Sequence, residues 1–242
     1  MAKMKKASAS EDSTRRTVPL SKRAVLFDLE HVAVNGRQIG YEVMKKALAE
    51  KGVKLNPFLF SRYGLTSSLK NGMGEMLESL GKGRLSEEKL AADIIEETKS
   101  VLLKDTPAPS PGFKKLVKRV VERGMSAGAL SCLDRESAHQ LVGALKLNVE
   151  VTGILPCACE DRSYPSPEAW LRLAKNMSMT PGACVVLASC SVSCKAALSS
   201  GMRCVVIPDK FTSYQDFGGA DAVVDELDDG ALDTIVELLE SR

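Results

Sequence analysis

Asp28 ends the apolar run Ala24-Val25-Leu26-Phe27, and Glu30 follows it by two residues, so two carboxylates stand where a buried strand gives way to a mobile-looking segment. An α/β sheet keeps its ligand-binding and reactive groups at such points, just outside the carboxyl ends of its strands. Applied to later apolar runs, the same rule adds Ser131 and Cys132, the segment 156–167 and the segment 188–194. A carboxylate there is a reactive group or a cap on its loop, and a serine hydroxyl such as Ser131 is a ligand contact or a turn cap. His31 is a candidate contact for a bound anion, although a lone histidine is more often an incidental polar group. Five thiols, Cys132, Cys157, Cys159, Cys190 and Cys194, also follow predicted strands. If they converge, they select zinc or another soft metal. Their spacing matches no known ligand set, and the simpler reading is that they fill space as small, weakly polar groups.

Positioning these groups requires strands that alternate with helices, and the patterning supplies them. Strands are expected at 126–130, 151–155, 184–188, 204–207 and 222–224, separated by helices at 112–123, 135–145, 167–177 and 193–200, with a last helix from about residue 230. Ser166 and Gly201 mark a helix start and a helix end. Between about residues 35 and 106 helices run alone: 41–51 carries Val43, Met44, Ala47 and Leu48, Asn56-Pro57 opens another, 69–80 is a third, and Ser86 precedes Glu87 and Glu88 as an N-cap with acids behind it. The segment returns through Thr106-Pro107-Ala108-Pro109-Ser110-Pro111. The expected fold is α/β, a doubly wound parallel sheet with helices on both faces and an inserted α-helical cap. The expected division is a disordered basic tail over 1–20, a core over 21–35 and 107–242, and the cap over 36–106.

A chain of 242 residues with 44% apolar content can bury one sizeable core and an insert. Its net charge of +2 is uneven, because residues 1–23 carry +5 and the remainder −3. Glu11 and Asp12 interrupt the basic end, which argues against a nucleic-acid arm or transit peptide, and no secretory apolar region follows it. No apolar run approaches the ~20 residues that span a bilayer. Seven cysteines, an odd number without CxxC pairs, read as reduced thiols. These features point to a cytoplasmic protein without a membrane or nucleic-acid partner.

The order of segments from Ala24 onward resembles the haloacid dehalogenase superfamily, in particular its helical-cap phosphatases and mutases such as phosphoglycolate phosphatase and β-phosphoglucomutase. Phe27-Asp28-Leu29-Glu30 matches the first motif with glutamate for the second aspartate, and Ala129-Leu130-Ser131 matches the second. The resemblance implies Mg²⁺-dependent hydrolysis of a small phosphomonoester through an aspartyl-phosphate, with Asp28 as nucleophile and metal ligand, Glu30 as acid/base and Ser131 on the phosphate. Tyr164-Pro165-Ser166-Pro167 stands where the third motif has Lys-Pro-x-Pro, and Leu187-Ala188-Ser189 lacks the acids of the fourth, so Tyr164 takes the lysine position and Ser189 a metal position.

Both replacements remove charge that lets a phosphate dianion approach an anionic nucleophile. Arg162 or Lys195 is a candidate for the missing cation, and Arg62 and Lys70, beside the glycine-containing stretch 64–72, are candidate substrate contacts from the cap. The resulting expectation is a phosphatase-like protein impaired in turnover that binds a small phosphorylated metabolite or a protein partner. The alternatives are a working hydrolase with a recruited cation and, more weakly, a thiol metal or redox site.

Overall fold

The computed structural model describes residues 19–65, 68–105, 107–147, 153–156 and 165–241. The basic tail up to residue 18, Arg162, Tyr164, Cys157 and Cys159 lie outside the described residues. Six parallel strands form one sheet: β1 (Ala24–Asp28), β2 (Ser126–Ser131), β3 (Ile154–Pro156), β4 (Cys184–Ala188), β5 (Arg203–Val206) and β6 (Ala222–Val223), in the order β3-β2-β1-β4-β5-β6. β1 therefore lies at the point where the strand order reverses, with Phe27 opposite Ala129 of β2 and Leu187 of β4. That reversal opens a crevice at the carboxyl ends of β1, β2 and β4, where Asp28, Ser131 and Ser189 lie.

The period of two along β1 sorts its side chains between two apolar layers. Val25 and Phe27 enter one cluster with Phe113 and Leu116, and the Phe27 and Phe113 rings meet edge to face at 4.8 Å. Ala24 and Leu26 enter the opposite cluster with Trp170 and Leu173. All four are fully buried, which explains why β1 reads as an unbroken apolar run rather than an alternating one.

Helices alone connect β1 to the rest of the sheet: α1 (Gly36–Ala49), the single turn α2 (Pro57–Leu59), α3 (Leu69–Ser79) and α4 (Glu87–Lys104). Met44, Leu48, Met73, Met76, Leu77 and Ile94 give this segment its own apolar cluster, as the helical periodicity requires. Phe211, from beyond β5, completes the cluster by packing on Tyr41 and Phe60 at 5.3 and 4.8 Å, and so ties the helices to the sheet. The predicted caps act as such: Ser86 Oγ accepts from Lys89 N–H at 3.4 Å, and Ser166 Oγ accepts from Ala169 N–H at 3.2 Å. The remaining helices are α5 (Phe113–Glu122), α6 (Arg135–Leu145), α7 (Pro167–Asn176), α8 (Ser191–Ser199) and α9 (Asp229–Glu240). Among the described residues no helix is long and apolar enough to cross a membrane.

The segment after Asp28 differs from its mobile-looking sequence. Leu29–Ala33 forms a π-helical turn with Leu29, Glu30, Val32 and Ala33 buried, because its apolar residues insert between the sheet and α5. The chain then enters α1 at Gly36, five residues earlier than the 41–51 pattern suggests, since Asn35 Oδ1 accepts from Gln38 N–H at 3.4 Å and starts the helix. Gly36 is required by close approach: a Cβ there would meet the Glu30 carbonyl oxygen at 2.2 Å, whereas a Cβ at Gly40, one turn later, would meet nothing within 4 Å. Substitutions in this one helix should therefore have opposite signs. Gly40→Ala should raise stability by about 0.5–1 kcal/mol through helix propensity, and Gly36→Ala should lower it by roughly 1–3 kcal/mol through backbone overlap; urea unfolding midpoints of the two variants check both.

Candidate functional site

Asp28 is 1% exposed at the tip of β1, and its Oδ1 accepts the His31 backbone N–H at 3.2 Å, a bond set by the π-turn. The same turn carries Glu30 inward to the end of β2. There Ser131 Oγ donates to Glu30 Oε1, and Cys132 N–H donates to Glu30 Oε2 at 3.1 Å. Ser131 Oγ in turn accepts Leu133 N–H at 3.1 Å, so the hydroxyl has both a donor and an acceptor partner. Burial, and next the charge of Asp28, push the Glu30 carboxyl up to about 7 against the lowering effect of these bonds. His31 Nδ1 is buried and, among the described residues, has no hydrogen-bond partner. Burial, and then Arg37, hold the His31 pKa below its ordinary value.

A buried cation at this edge is one that sequence reasoning missed. Arg37, in the first turn of α1, is 7% exposed; its Nη1 donates to Ser189 Oγ and to Asp209 Oδ2, each at 3.0 Å. Asp209 is held by its own loop, because its Oδ1 accepts Phe211 N–H at 2.8 Å, and Thr212 Oγ1 donates to the Ser189 carbonyl at 2.8 Å. Burial opposes the charge of Arg37, but Cys190, Asp209 and Asp28 together outweigh it and raise its pKa. The guanidinium thus links α1, the end of β4 and the loop beyond β5.

A divalent cation does not fit this donor set. Mg²⁺ needs six oxygens in near-octahedral array at about 2.1 Å. Here one Asp28 oxygen and both Glu30 oxygens accept hydrogen bonds, and the Ser189 hydroxyl faces a guanidinium. A cation on Ser189 Oγ would lie within roughly 5 Å of Arg37 Nη1, where a dication and a unit charge repel by roughly 7 kcal/mol at an effective dielectric near 20. Among the described residues no group of three His, Cys, Asp or Glu side chains is arranged to hold a metal.

A cavity of about 690 Å³ opens over these groups. Asp28, Glu30, His31 and Arg37 line it, as does the Lys99–Asp134 ion pair with Glu96, and Met44, Leu65 and Ile94 are among the apolar residues of its wall. The other residues singled out from the sequence fall elsewhere. Ser131 is fully buried behind Glu30, with its hydroxyl spent on that carboxyl rather than turned to the cavity. Arg62 is exposed and stacks over the Tyr63 ring at 5.2 Å, while Lys70 is exposed and pairs with Glu88 at 2.8 Å; neither lines the cavity. The glycine-containing stretch instead contributes Gly64, Leu65 and Leu69. Lys195 is exposed on α8 and supplies no charge here. Of the described thiols, Cys132 and Cys190 line the cavity, whereas Cys194 is buried in the core with Cys204. Among the described residues, two thiols on opposite sides of β1 do not make a soft-metal site, and Cys157 and Cys159 lie outside those residues.

One signal pointed to a missed residue: Asp209 follows the β5 run by the same strand-end rule that selected Asp28, whereas Arg37 precedes the 41–51 helical pattern and nothing local marks it.

Glu30 gives the site a pH signature. Its folded pKa of about 7 lies above the ordinary 4.5, so between those values the folded protein holds a proton that the unfolded chain releases. Stability should then be greatest below about pH 4.5 as far as this group is concerned, and should fall as pH rises to about 7. Glu30→Gln carries the charge of the protonated form and should flatten that fall. Chemical unfolding at about pH 5 and about pH 8 should show wild type losing roughly 3 kcal/mol more than the variant.

No family model matches the chain. A CBBY-like protein of Arabidopsis thaliana is 26% identical over 126 residues, covering 49% of this chain and 38% of that protein's length. Protein CbbY of Rhodobacter capsulatus is 22% identical over 227 residues, covering 89% of this chain and 98% of its own. The crystal structure of β-phosphoglucomutase from Clostridium difficile superposes with a TM-score of 0.68 at 18% identity, covering 90% of this chain and 97% of that one. The chain therefore has the haloacid dehalogenase-like fold, and its relatives and structural neighbours together support its place in that superfamily of phosphatases and phosphomutases.

Proposed function

We propose that this chain binds a small phosphorylated metabolite beside Asp28 and has lost most of the Mg²⁺-dependent hydrolysis that its fold supports elsewhere, so that it acts as a binding or regulatory protein. The observation that carries this reading is the tie of both Glu30 oxygens to the end of β2. A general acid/base must reach the leaving oxygen, and Glu30 must first release Ser131 or Cys132. Freeing a buried bond to a charged group costs about 1.5–3 kcal/mol, and an acid/base that is out of place forfeits about 10²–10⁴ in rate. The replacement of an acid by Ser189, bonded to Arg37, removes a further source of charge stabilisation.

A metabolite suits the cavity better than a protein surface does, because about 690 Å³ is the size of a small-molecule pocket and Asp28, Glu30 and Arg37 in its lining are buried. Recognition then divides along the cavity: Arg37 and backbone N–H groups at the strand ends meet the anionic group, and the helical segment, acting as a cap, meets the apolar or sugar part. A working hydrolase is the second reading, favoured by the Glu30 carboxyl, whose pKa near neutrality suits proton transfer.

Phosphatase assays on a panel of small phosphomonoesters, with and without Mg²⁺, beside an Asp28→Asn variant separate the two. The expected result is no Mg²⁺-dependent turnover above the level of the variant, together with a rise in wild-type melting temperature on addition of at least one phosphomonoester. Turnover that needs Mg²⁺ and disappears in Asp28→Asn would establish the hydrolase instead.

A further inference from the structure

A phosphate site built on carboxylates needs a cation, and this one contains a cation already. Arg37 lies in the crevice formed by β1, β4 and the loop after β5, bonded through Nη1 to the hydroxyl of Ser189 and the carboxylate of Asp209. Both bonds use one nitrogen, so Nε and Nη2 take no part in them, and the residue lines the cavity beside Asp28. Its position depends on its neighbours: the Ser189 hydroxyl and the Asp209 carboxylate both accept from it. A guanidinium never loses its proton in a protein and offers five N–H donors in a fixed fork, which suits it to oxyanions.

The geometry points to Arg37 as the resident replacement for a divalent cation: it excludes the metal from Asp28 and Ser189 and docks the ligand's anionic group without one. The inference deepens the binding function proposed above and rests on it only for the ligand; exclusion of the metal stands on its own. A single charge shared with Asp209 attracts a phosphate less strongly than a dication would, so the ligand is held by the rest of the cavity as much as by its phosphate.

The test uses Mn²⁺ alone, followed by electron paramagnetic resonance of the free ion, and melting temperature with inorganic phosphate. Wild type should take up no Mn²⁺ at millimolar concentrations, and any shift caused by phosphate should be the same in Mg²⁺ and in EDTA. Ser189→Asp should also take up none, because the new carboxylate pairs with Arg37. The double variant R37A/S189D should gain a site at least about tenfold tighter than either, as a freed carboxylate set permits. One Mn²⁺ per wild-type chain, lost in Asp28→Asn, would overturn the inference, and so would Mn²⁺ uptake by Ser189→Asp or a folded double variant with no gain. If the double variant does not fold, Ser189→Asp and wild type still decide. Phosphate binding that requires Mg²⁺ sinks this inference and leaves the binding function standing; no shift with phosphate or any phosphomonoester, with Mn²⁺ still excluded, sinks the binding function and the docking of an anion by Arg37 and leaves only the exclusion of the metal.

Discussion

A guanidinium taken out of water costs several kcal/mol unless its charge is paired, and Arg37 is paired only when three distant parts of the chain meet. Residue 37 begins the helical segment, residue 189 ends β4 and residue 209 follows β5, and the bonds among them close at 3.0 Å. Because Phe211 stands two residues beyond Asp209 and packs among the helices' aromatic rings, the polar tie and the apolar tie reinforce one another. The helical segment is thereby held against the strand ends, and the cavity takes its shape from that closure.

The carboxylates at the tip of β1 and on the π-turn are put to different uses by their environments. Asp28 keeps one hydrogen bond from its own turn and faces the cavity and Arg37. Glu30, one methylene longer than an aspartate, reaches past the cavity floor to the end of β2 and becomes a structural link there. Its proton affinity rises because burial and the neighbouring negative charge both penalise ionisation. The length of one side chain thus lets Glu30 join the π-turn to the end of β2.

The apolar layers hold this edge rigid enough for such differences to matter. Fully buried residues alternate between two faces along β1, and the π-turn packs Leu29, Val32 and Ala33 into the layer that contains Phe113. Strand ends anchored on both faces leave little freedom for Asp28 or Glu30 to rearrange when a ligand arrives.

Much of the architecture was legible in the chain, because apolar periodicity, caps and glycine stops are local properties that adjacent residues determine. The six strands, their alternation with helices and the helical interruption after β1 follow from such patterns, and Asp28 follows from the rule that places chemistry at strand ends. The sequence by itself also decided what the edge lacks, since Ser189 cannot ionise whatever surrounds it. Tertiary structure alone decided where charge goes. A lysine or arginine has the same pattern value on a solvated face as at a buried one, so Arg62, Lys70, Lys195 and Arg37 could be told apart only by packing. Three of them stay exposed, and the one that nothing in its local pattern recommended is buried. The reach of Glu30 to β2 and the pairing of Arg37 with Asp209 join residues 101 and 172 positions apart, and no short-range pattern encodes contacts of that span.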